Sequence, residues 1–546
     1  MKGFAYEFLL RRNYEILAFL AWVIGGLGVY WLYLNASYPL SVLKITGVVI
    51  GCAGLWRGIE GLAKFKKNKL LIGKKRRLWI TSWRESLTRA EKSKNGGKKT
   101  RGTVWFGRGF PWTQEEVQQA TEILKKADTK FLQDSRGRWI HGIGVALDKE
   151  KDLTVKGELL EGHTLIVGST GTGKTRLFDL LISQAIYRGE SVIIIDPKGD
   201  ASLRENTRLA CERIGEGERF AFFHPTPSKS GVRIDPLKNF QKGEELASRV
   251  AALIPSETDA DPFTAFGWMA INSVVGGLTY LDARPNLLKL RRYIEGGPDE
   301  LVRQVLYKFF TIHQPGKTLP PKLEDVVRQY QQLPELEKVT EVDGVVNQYL
   351  HNREHFHKMV ASLLPILSML TSGATGSLLS PDPDDGDPRQ ILDSATVIEK
   401  NMVLYIGLDN LSDSTVGSAI GSIMLADLTA VAGDRYKRYG DGQKPPSVNI
   451  FIDEAAEVIN DPAIQLLNKS RGAGFRVAIA TQTLADLEVR TGTQAGARQA
   501  IGNTNNWIVL RVIDGETQKY IAEALPKTAV KSLEMGYRSA SSSTSP

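Results

Sequence analysis

The chain has 546 residues, 42% hydrophobic and 24% charged, a length that calls for several domains and a composition that excludes a chain disordered throughout. Two cysteines, Cys52 and Cys211, are too few for a disulfide framework. The net charge of +9 at pH 7 is uneven: residues 57–101 carry sixteen basic and three acidic side chains, residues 1–56 four and two, and the other 445 sum to −6, so the body is not a general polyanion-coating surface.

Residues 16–34, ILAFLAWVIGGLGVYWLYL, are nineteen uncharged, mostly apolar residues, long enough as a helix to cross a hydrocarbon core of roughly 30 Å. A second run, Leu40 to Trp56, contains Lys44 and completes a hairpin whose turn, Asn35 to Pro39, carries no charge. Arg11 and Arg12 precede the hairpin, and Arg57, Lys64, Lys66, Lys67, Lys69 and Lys74 to Arg77 follow it. By the positive-inside rule both ends face the cytoplasm, and the basic segment acts as a topology determinant that touches anionic lipid. Gly47 and Gly51 form a GxxxG that marks a candidate packing face.

Lys94 to Thr100, KNGGKKT, reads as a flexible linker. Thr113 with Glu116 is a capping-box pattern opening a helix to about Ala127, and Trp105, Phe106, Phe110 and Trp112 read as one apolar cluster packing it. From Gly162 strands and helices alternate: His163 to Val167, a helix Arg176 to Arg188, then Ser191 to Ile195 ending in Asp196-Pro197-Lys198-Gly199-Asp200. Residues 241–395 read as helices, with examples at Glu244 to Leu253, Phe266 to Tyr280 and Asp299 to Phe310. Strands resume at Met402 to Ile406, Val448 to Ile452, Arg476 to Ala480 and Trp507 to Val512. This pattern predicts one α/β domain with a parallel sheet, interrupted by a helical insertion. The expected domains are a transmembrane hairpin anchor over 1–60, a basic membrane-proximal linker and small helical segment over 61–150, a nucleotide-binding domain in two parts (151–240 and 396–535), an all-alpha insertion over 241–395, and a disordered serine-rich tail over 536–546.

Gly168, Ser169, Thr170, Gly171, Thr172, Gly173, Lys174 and Thr175 match GxxxxGK[ST] between an apolar strand and a helix. Glycines let backbone N–H groups turn inward around a phosphate, Lys174 reaches the β and γ phosphates, and the Thr175 hydroxyl ligates Mg²⁺. Val448 to Glu454, VNIFIDE, is an apolar strand ending in two carboxylates, Asp453 for the Mg²⁺ shell and Glu454 to orient or deprotonate the attacking water. The 279 residues from Lys174 to Asp453 independently indicate an insertion. Gln482, at the end of the Arg476 to Ala480 strand, is either a γ-phosphate sensor or a strand-end cap. Arg471 is either a finger reaching a neighbouring subunit's nucleotide or a solvated surface arginine. His351, His355 and His357 have a zinc-like spacing without a fourth ligand and read as a polar helix face. Asp382, Asp384, Asp385 and Asp387 lack the closing glutamate of a calcium loop and read as a solvated linker.

Taken together, the hairpin, EGHTLIVGSTGTGKTRL, IIIDPKGD, the helical block, IFIDEAAEVI and ATQT resemble the TraD/TraG-like coupling proteins of type IV secretion, over roughly residues 100–535 plus the anchor. GRGFPW and RWIHGIG resemble the TraD subset of integrative conjugative elements. The resemblance implies a RecA-like P-loop NTPase domain with an all-alpha insertion, preceded by an N-terminal transmembrane hairpin. It implies a homo-hexameric, multi-pass protein of the bacterial inner membrane with its ATPase domain in the cytoplasm. ATP and Mg²⁺ are the implied cofactors, and single-stranded DNA with its relaxase, secretion-channel components and inner-membrane lipid the implied partners. Lys174, Thr175, Asp453 and Glu454 take the nucleotide roles, Gln482 the sensor role and Arg471 the intersubunit finger. Two alternatives stand beside it: an FtsK-like translocase of double-stranded DNA, which would bring more membrane spans and a C-terminal winged helix, and a non-motor receptor in which ATP only assembles a docking ring for protein substrates. The tail after Leu525 is short and serine-rich, without the longer acidic, partner-recruiting tail of some family members.

Overall fold

The structure, a computed structural model, describes residues 13–35, 38–71, 82–95, 102–126, 151–226, 228, 230–254, 261–439 and 443–530. Most of KNGGKKT, all of RWIHGIG and the serine-rich tail lie outside them. Two compact units form: residues 1–81 with 107–153 and 524–546, and residues 82–106 with 154–523.

In the first unit, α1 (Tyr14–Asn35) and α2 (Leu40–Leu71) make a helical hairpin. Both are long and apolar enough to cross a membrane, over Tyr14–Asn35 and Leu40–Lys66, with almost none of their apolar surface buried in the protein. The expected glycine pair is not where the helices meet: a Cβ on Gly47 or Gly51 would touch nothing within 4 Å. One on Gly54 would lie 3.2 Å from Trp22, on Gly58 3.0 Å from Phe19 and on Gly61 2.9 Å from Ile16. The packing GxxxG is therefore Gly54 and Gly58, one to two turns beyond the predicted pair, where missing side chains admit aromatic rings of α1. Beyond α3 (Trp83–Asn95) and β1 (Thr103–Gly109) comes α4 (Gln114–Lys126), whose capping residues behave as expected: Thr113 N–H donates to Glu116 Oε2 at 2.9 Å, and Glu115 N–H to the Thr113 hydroxyl.

The predicted aromatic cluster is divided. Phe110 stacks on Trp112 in the first unit, whereas Trp105 and Phe106 belong to the second, where Phe106 packs against the core formed by Leu87 and Ala90 of α3 and Phe178, Ile182 and Ile186 of α5 (Lys174–Tyr187) and Trp105 takes the Arg89 guanidinium over its ring at 4.8 Å. Gln184 fixes this arrangement by exchanging two hydrogen bonds, 2.8 and 2.9 Å, with the backbone of Trp105. α3 and the first residues of β1, expected inside a membrane-proximal linker, thus belong to the second unit.

The remaining strands are β2 (Lys151–Lys156), β3 (Thr164–Val167), β4 (Ser191–Asp196), β5 (Phe220–Phe223), β6 (Arg233–Ile234), β7 (Ile391–Leu392), β8 (Val403–Gly407), β9 (Val448–Ile452), β10 (Phe475–Thr481) and β11 (Asn506–Val509). Seven form one parallel sheet in the order β11-β3-β10-β9-β4-β8-β5. Its middle strands are apolar on both faces because both are covered: Ile193, Ile195, Ile450 and Ile452 point into one core, Val192, Ile194 and Phe451 into the other.

After α6 (Ala201–Arg213) and β5, the insertion comprises nine described helices, α7 (Gly243–Ala251) to α15 (Gly373–Leu379). The parallel pair β6-β7 closes its neck, and its core is continuous with one face of the sheet. Following α16 (Ser394–Glu399), α17 (Ser414–Arg438) is as long and apolar as a membrane span but lies two-thirds buried in this core, fixed by the buried pair Arg249–Asp427 at 2.8 Å.

One expectation for the insertion is refined and one changes. The acidic loop is exposed at Asp382, Asp384 and Asp385, as a solvated segment should be, but it is tethered: Arg233, 1% exposed, reaches Asp385 at 2.6 Å and the Asp387 carbonyl at 3.0 Å. The histidines do not share one helix face: His351 ends one helix, and Asn352 caps the next, which carries His355 and His357. The His351 and His355 rings still stack, 5.2 Å between centroids, and no metal-binding group of His, Cys, Asp and Glu occurs among the described residues.

Candidate nucleotide site

All seven strands of a parallel sheet end at one edge, so the loops that follow them are neighbours in the order of the strands. β10 lies between β3 and β9, and therefore the loop bearing Gln482 falls between the glycine-rich loop and the two carboxylates. Thr481 is level with Val167, and Ile452 with both Ile479 and Ile195, so four chain segments far apart in sequence converge.

The glycine-rich loop is closed upon itself. Gly171 and Gly173 have φ of 73° and 104°, values open to glycine without strain, and Gly173 leads directly into α5. Gly168 N–H donates to Thr481 O at 3.1 Å and Ser169 N–H to Arg511 O at 2.9 Å, tying the loop to the ends of β10 and β11. Lys174 Nζ, 7% exposed as a residue, donates to the Gly168 carbonyl at 2.7 Å. The loop thus surrounds a space with N–H groups at a helix N-terminus and a buried ammonium beside it, the donor set of a phosphate cradle. Thr175, the next residue of α5, is half-buried.

Glu454 is the centre of the constellation. Its Oε1 lies 2.6 Å from Lys198 Nζ, 3.1 Å from Gln482 Nε2 and 3.7 Å from Lys174 Nζ. The other end of the Gln482 amide, Oε1, accepts from the Thr170 hydroxyl at 2.9 Å, so one amide spans from glycine-rich loop to carboxylate. Glu454 has φ 40° and ψ 56°, a left-handed conformation costing a non-glycine residue roughly 1–2 kcal/mol; such strain concentrates where a side chain must be aimed. Asp453, 6% exposed, accepts the Glu454 N–H at 3.0 Å. Burial, and then the negative charges of Glu454 and Asp196, push its carboxyl up to about 6 against the pull of Lys174. A divalent cation fits this donor set, because a buried cluster of carboxylates beside a hydroxyl is relieved by positive charge.

Arg471 is not part of this assembly. It lies exposed in the short turn Ser470–Ala473 before β10, hence at the opposite edge of the sheet from the glycine-rich loop. A seven-residue strand spans roughly 20 Å, so the arginine does not reach the site of its own chain.

Sequence reasoning missed Lys198 as a site residue. The signal was present in an apolar strand ending in DPKGD, but only the strand order β9-β4 shows that this loop abuts Glu454.

Residues 447–546 match the family described as the TraM recognition site of TraD and TraG. This C-terminal segment is thus TraD/TraG-like in sequence. Residues 140–236 match the central domain of the helicase HerA, which agrees with a RecA-like P-loop NTPase fold. Among solved structures, the chain is similar to the bacterial conjugative coupling protein TrwB lacking its N-terminal segment, at 16% identity over 67% of this chain and 75% of that one, TM-score 0.46. It is also similar to TrwB in complex with ADP and Mg²⁺ (15%, 65% and 71%, TM-score 0.42) and to VirB4 of Thermoanaerobacter pseudethanolicus (14%, 66% and 80%, TM-score 0.36). No curated protein sequence matches the chain.

Proposed function

We propose that this protein is a membrane-anchored ATPase that couples a relaxase-bound single strand of DNA to a type IV secretion channel and drives its transfer by ATP hydrolysis. The observation that carries the reading is the convergence on Glu454 of Lys174, Gln482 and, through Gln482, Thr170, in a chain whose last hundred residues match TraD and TraG. In this reading the glycine-rich loop, Gly168 to Thr175, cradles the phosphates of ATP. Lys174 leaves the Gly168 carbonyl for the β and γ oxygens, and Thr175 and Asp453 hold Mg²⁺, which offsets charge on the phosphates when bound. Glu454 orients the attacking water and accepts its proton, while Gln482, reaching both Thr170 and Glu454, senses the γ-phosphate. Arg471, too far for its own site, serves as the finger of a neighbouring subunit in a homo-hexamer. The hairpin α1-α2 anchors the ring in the bacterial inner membrane, both ends cytoplasmic. Residues 241–395 hold fifteen basic and twenty-one acidic side chains, the same excess of six negative charges as the whole body. That supports docking of a protein, the relaxase, on the insertion in preference to bare DNA.

The test is ATP hydrolysis by the full chain reconstituted in lipid, with and without single-stranded DNA, using Glu454→Gln as the blank. We expect DNA to stimulate turnover and the substitution to lower kcat by roughly 100-fold or more while nucleotide binding persists. Hydrolysis indifferent to DNA, with transfer intact in Glu454→Gln, would establish the non-motor receptor instead.

A further inference from the structure

The loop after β4 is built more rigidly than a strand-to-helix connection requires. Asp196, 1% exposed, accepts the N–H groups of Lys198, Gly199 and Asp200 at 3.0, 3.1 and 2.7 Å, and the Tyr405 hydroxyl from β8 at 2.5 Å. Its carbonyl accepts Leu408 N–H at 3.0 Å, that of Pro197 accepts Asn410 N–H at 2.8 Å, and Gly199 turns the chain back with φ 67°. Asp200 then caps α6 by accepting from Ser202 and Leu203 N–H. Five residues are thus held from both sides, and the side chain they present to the nucleotide site is Lys198. Its stem is 44% exposed, so the place of its ammonium is set by the pinned backbone and by the 2.6 Å contact with Glu454 Oε1.

Three donors share that oxygen, and two of them have other work once ATP is bound: Lys174 moves to the phosphates and Gln482 turns to the γ-phosphate and water. Lys198 has no such second assignment. We propose that Lys198 is a positioning residue for Glu454: it holds the carboxylate in place after Lys174 has been drawn away, and through it sets how well Glu454 meets the attacking water. This rests on the reading of Glu454 as the water-orienting group. The loop ties the device to the sheet itself, since Asp196 ends β4 and is gripped by Tyr405 of β8, so Glu454 is positioned by the neighbouring strands and not only by its own.

The experiment uses the full chain in lipid, comparing Lys198→Ala, Lys198→Met and Lys198→Arg for kcat, KM and binding of a fluorescent ATP analogue. Lys198→Ala and Lys198→Met should lower kcat roughly 10- to 100-fold, the scale of a displaced catalytic group, with analogue affinity within about twofold of wild type and most of kcat restored in Lys198→Arg. Adding Lys198→Ala to Glu454→Gln should lower the residual rate no further, because the lysine acts through that carboxylate. An unchanged or raised kcat in Lys198→Ala overturns the proposal, the raised value making the contact a latch. Affinity that falls in step with kcat overturns it in favour of a direct phosphate ligand. If Glu454→Gln alone retains wild-type kcat, the failure lies in the role given to Glu454 and not in the geometry of Lys198.

Discussion

Acidification should loosen the P-loop domain through one residue, His163. It sits immediately before β3, is 2% exposed, and accepts the Val477 N–H of β10 on Nδ1 at 3.1 Å. An imidazole that accepts on Nδ1 carries its proton on Nε2 and is neutral; a second proton would turn the acceptor into a donor facing a donor. Burial, with a smaller contribution from Arg471 and against a backbone contact with Leu467, lowers its pKa from 6.5 to about 4. The unfolded chain therefore binds this proton first as the pH falls. The stability contributed is fully present above 6.5, declines through the window from 6.5 to 4, and is absent below. At 1.36 kcal/mol per unit the whole effect is about 3 kcal/mol, of which about 2 kcal/mol is lost at pH 5 relative to pH 8. Asp179, Asp427 and Asp453, each raised to about 6 by burial, act in the opposite sense, since the folded state protonates them first. The wild-type curve alone is thus not diagnostic, and the comparison must be with His163→Asn. Asparagine replaces a residue that already holds a side chain at φ 56° and ψ 162°, offers an amide oxygen to Val477 N–H and has no charge to gain. Urea unfolding of the detergent-solubilised full chain at pH 8 and pH 5 should show the wild type losing about 2 kcal/mol more than the variant over that interval. Parallel pH dependences in the two proteins would refute the reasoning.

Two further predictions concern the site. A Cβ on Gly168 would fall 2.7 Å from Thr172 Oγ1 and 2.8 Å from Leu510 Cβ, so Gly168→Ala should force the loop off β11 and weaken binding of a fluorescent ATP analogue by about tenfold; undiminished affinity would show that the loop relaxes freely. Arg471→Ala should lower turnover per site in assembled rings and leave the ATP affinity of dilute monomer unchanged, and equal turnover per site in monomer and ring would remove the finger role.

Much of the site is legible in the sequence because its parts are local. The glycine-rich loop needs positive φ at Gly171 and Gly173, which a GxxxxGK[ST] string supplies directly, and apolar runs such as Ser191 to Ile195 and Val448 to Ile452 become strands because both faces of this sheet are covered. The long separation of Lys174 from Asp453 likewise shows that something is inserted. What stayed hidden depends on which surfaces meet. Gly54 and Gly58, and not Gly47 and Gly51, contact the partner helix, since a GxxxG string does not say which face turns inward. Arg233 gathers an acidic loop from about 150 residues away, and Gln184 holds Trp105 across 79.

By itself, then, the sequence determined an apolar helical hairpin, a glycine-rich loop, a strand ending in two carboxylates and a helical insertion, because each is written in the periodicity or residue types of one continuous segment. Only the tertiary structure decided that β10 separates the glycine-rich loop from the carboxylates, that β4 lies on their far side, and that Arg471 falls at the opposite edge of the sheet from that loop. Strand order is set by packing across the whole sheet, and it is strand order that brings Gln482 and Lys198 to the same oxygen of Glu454.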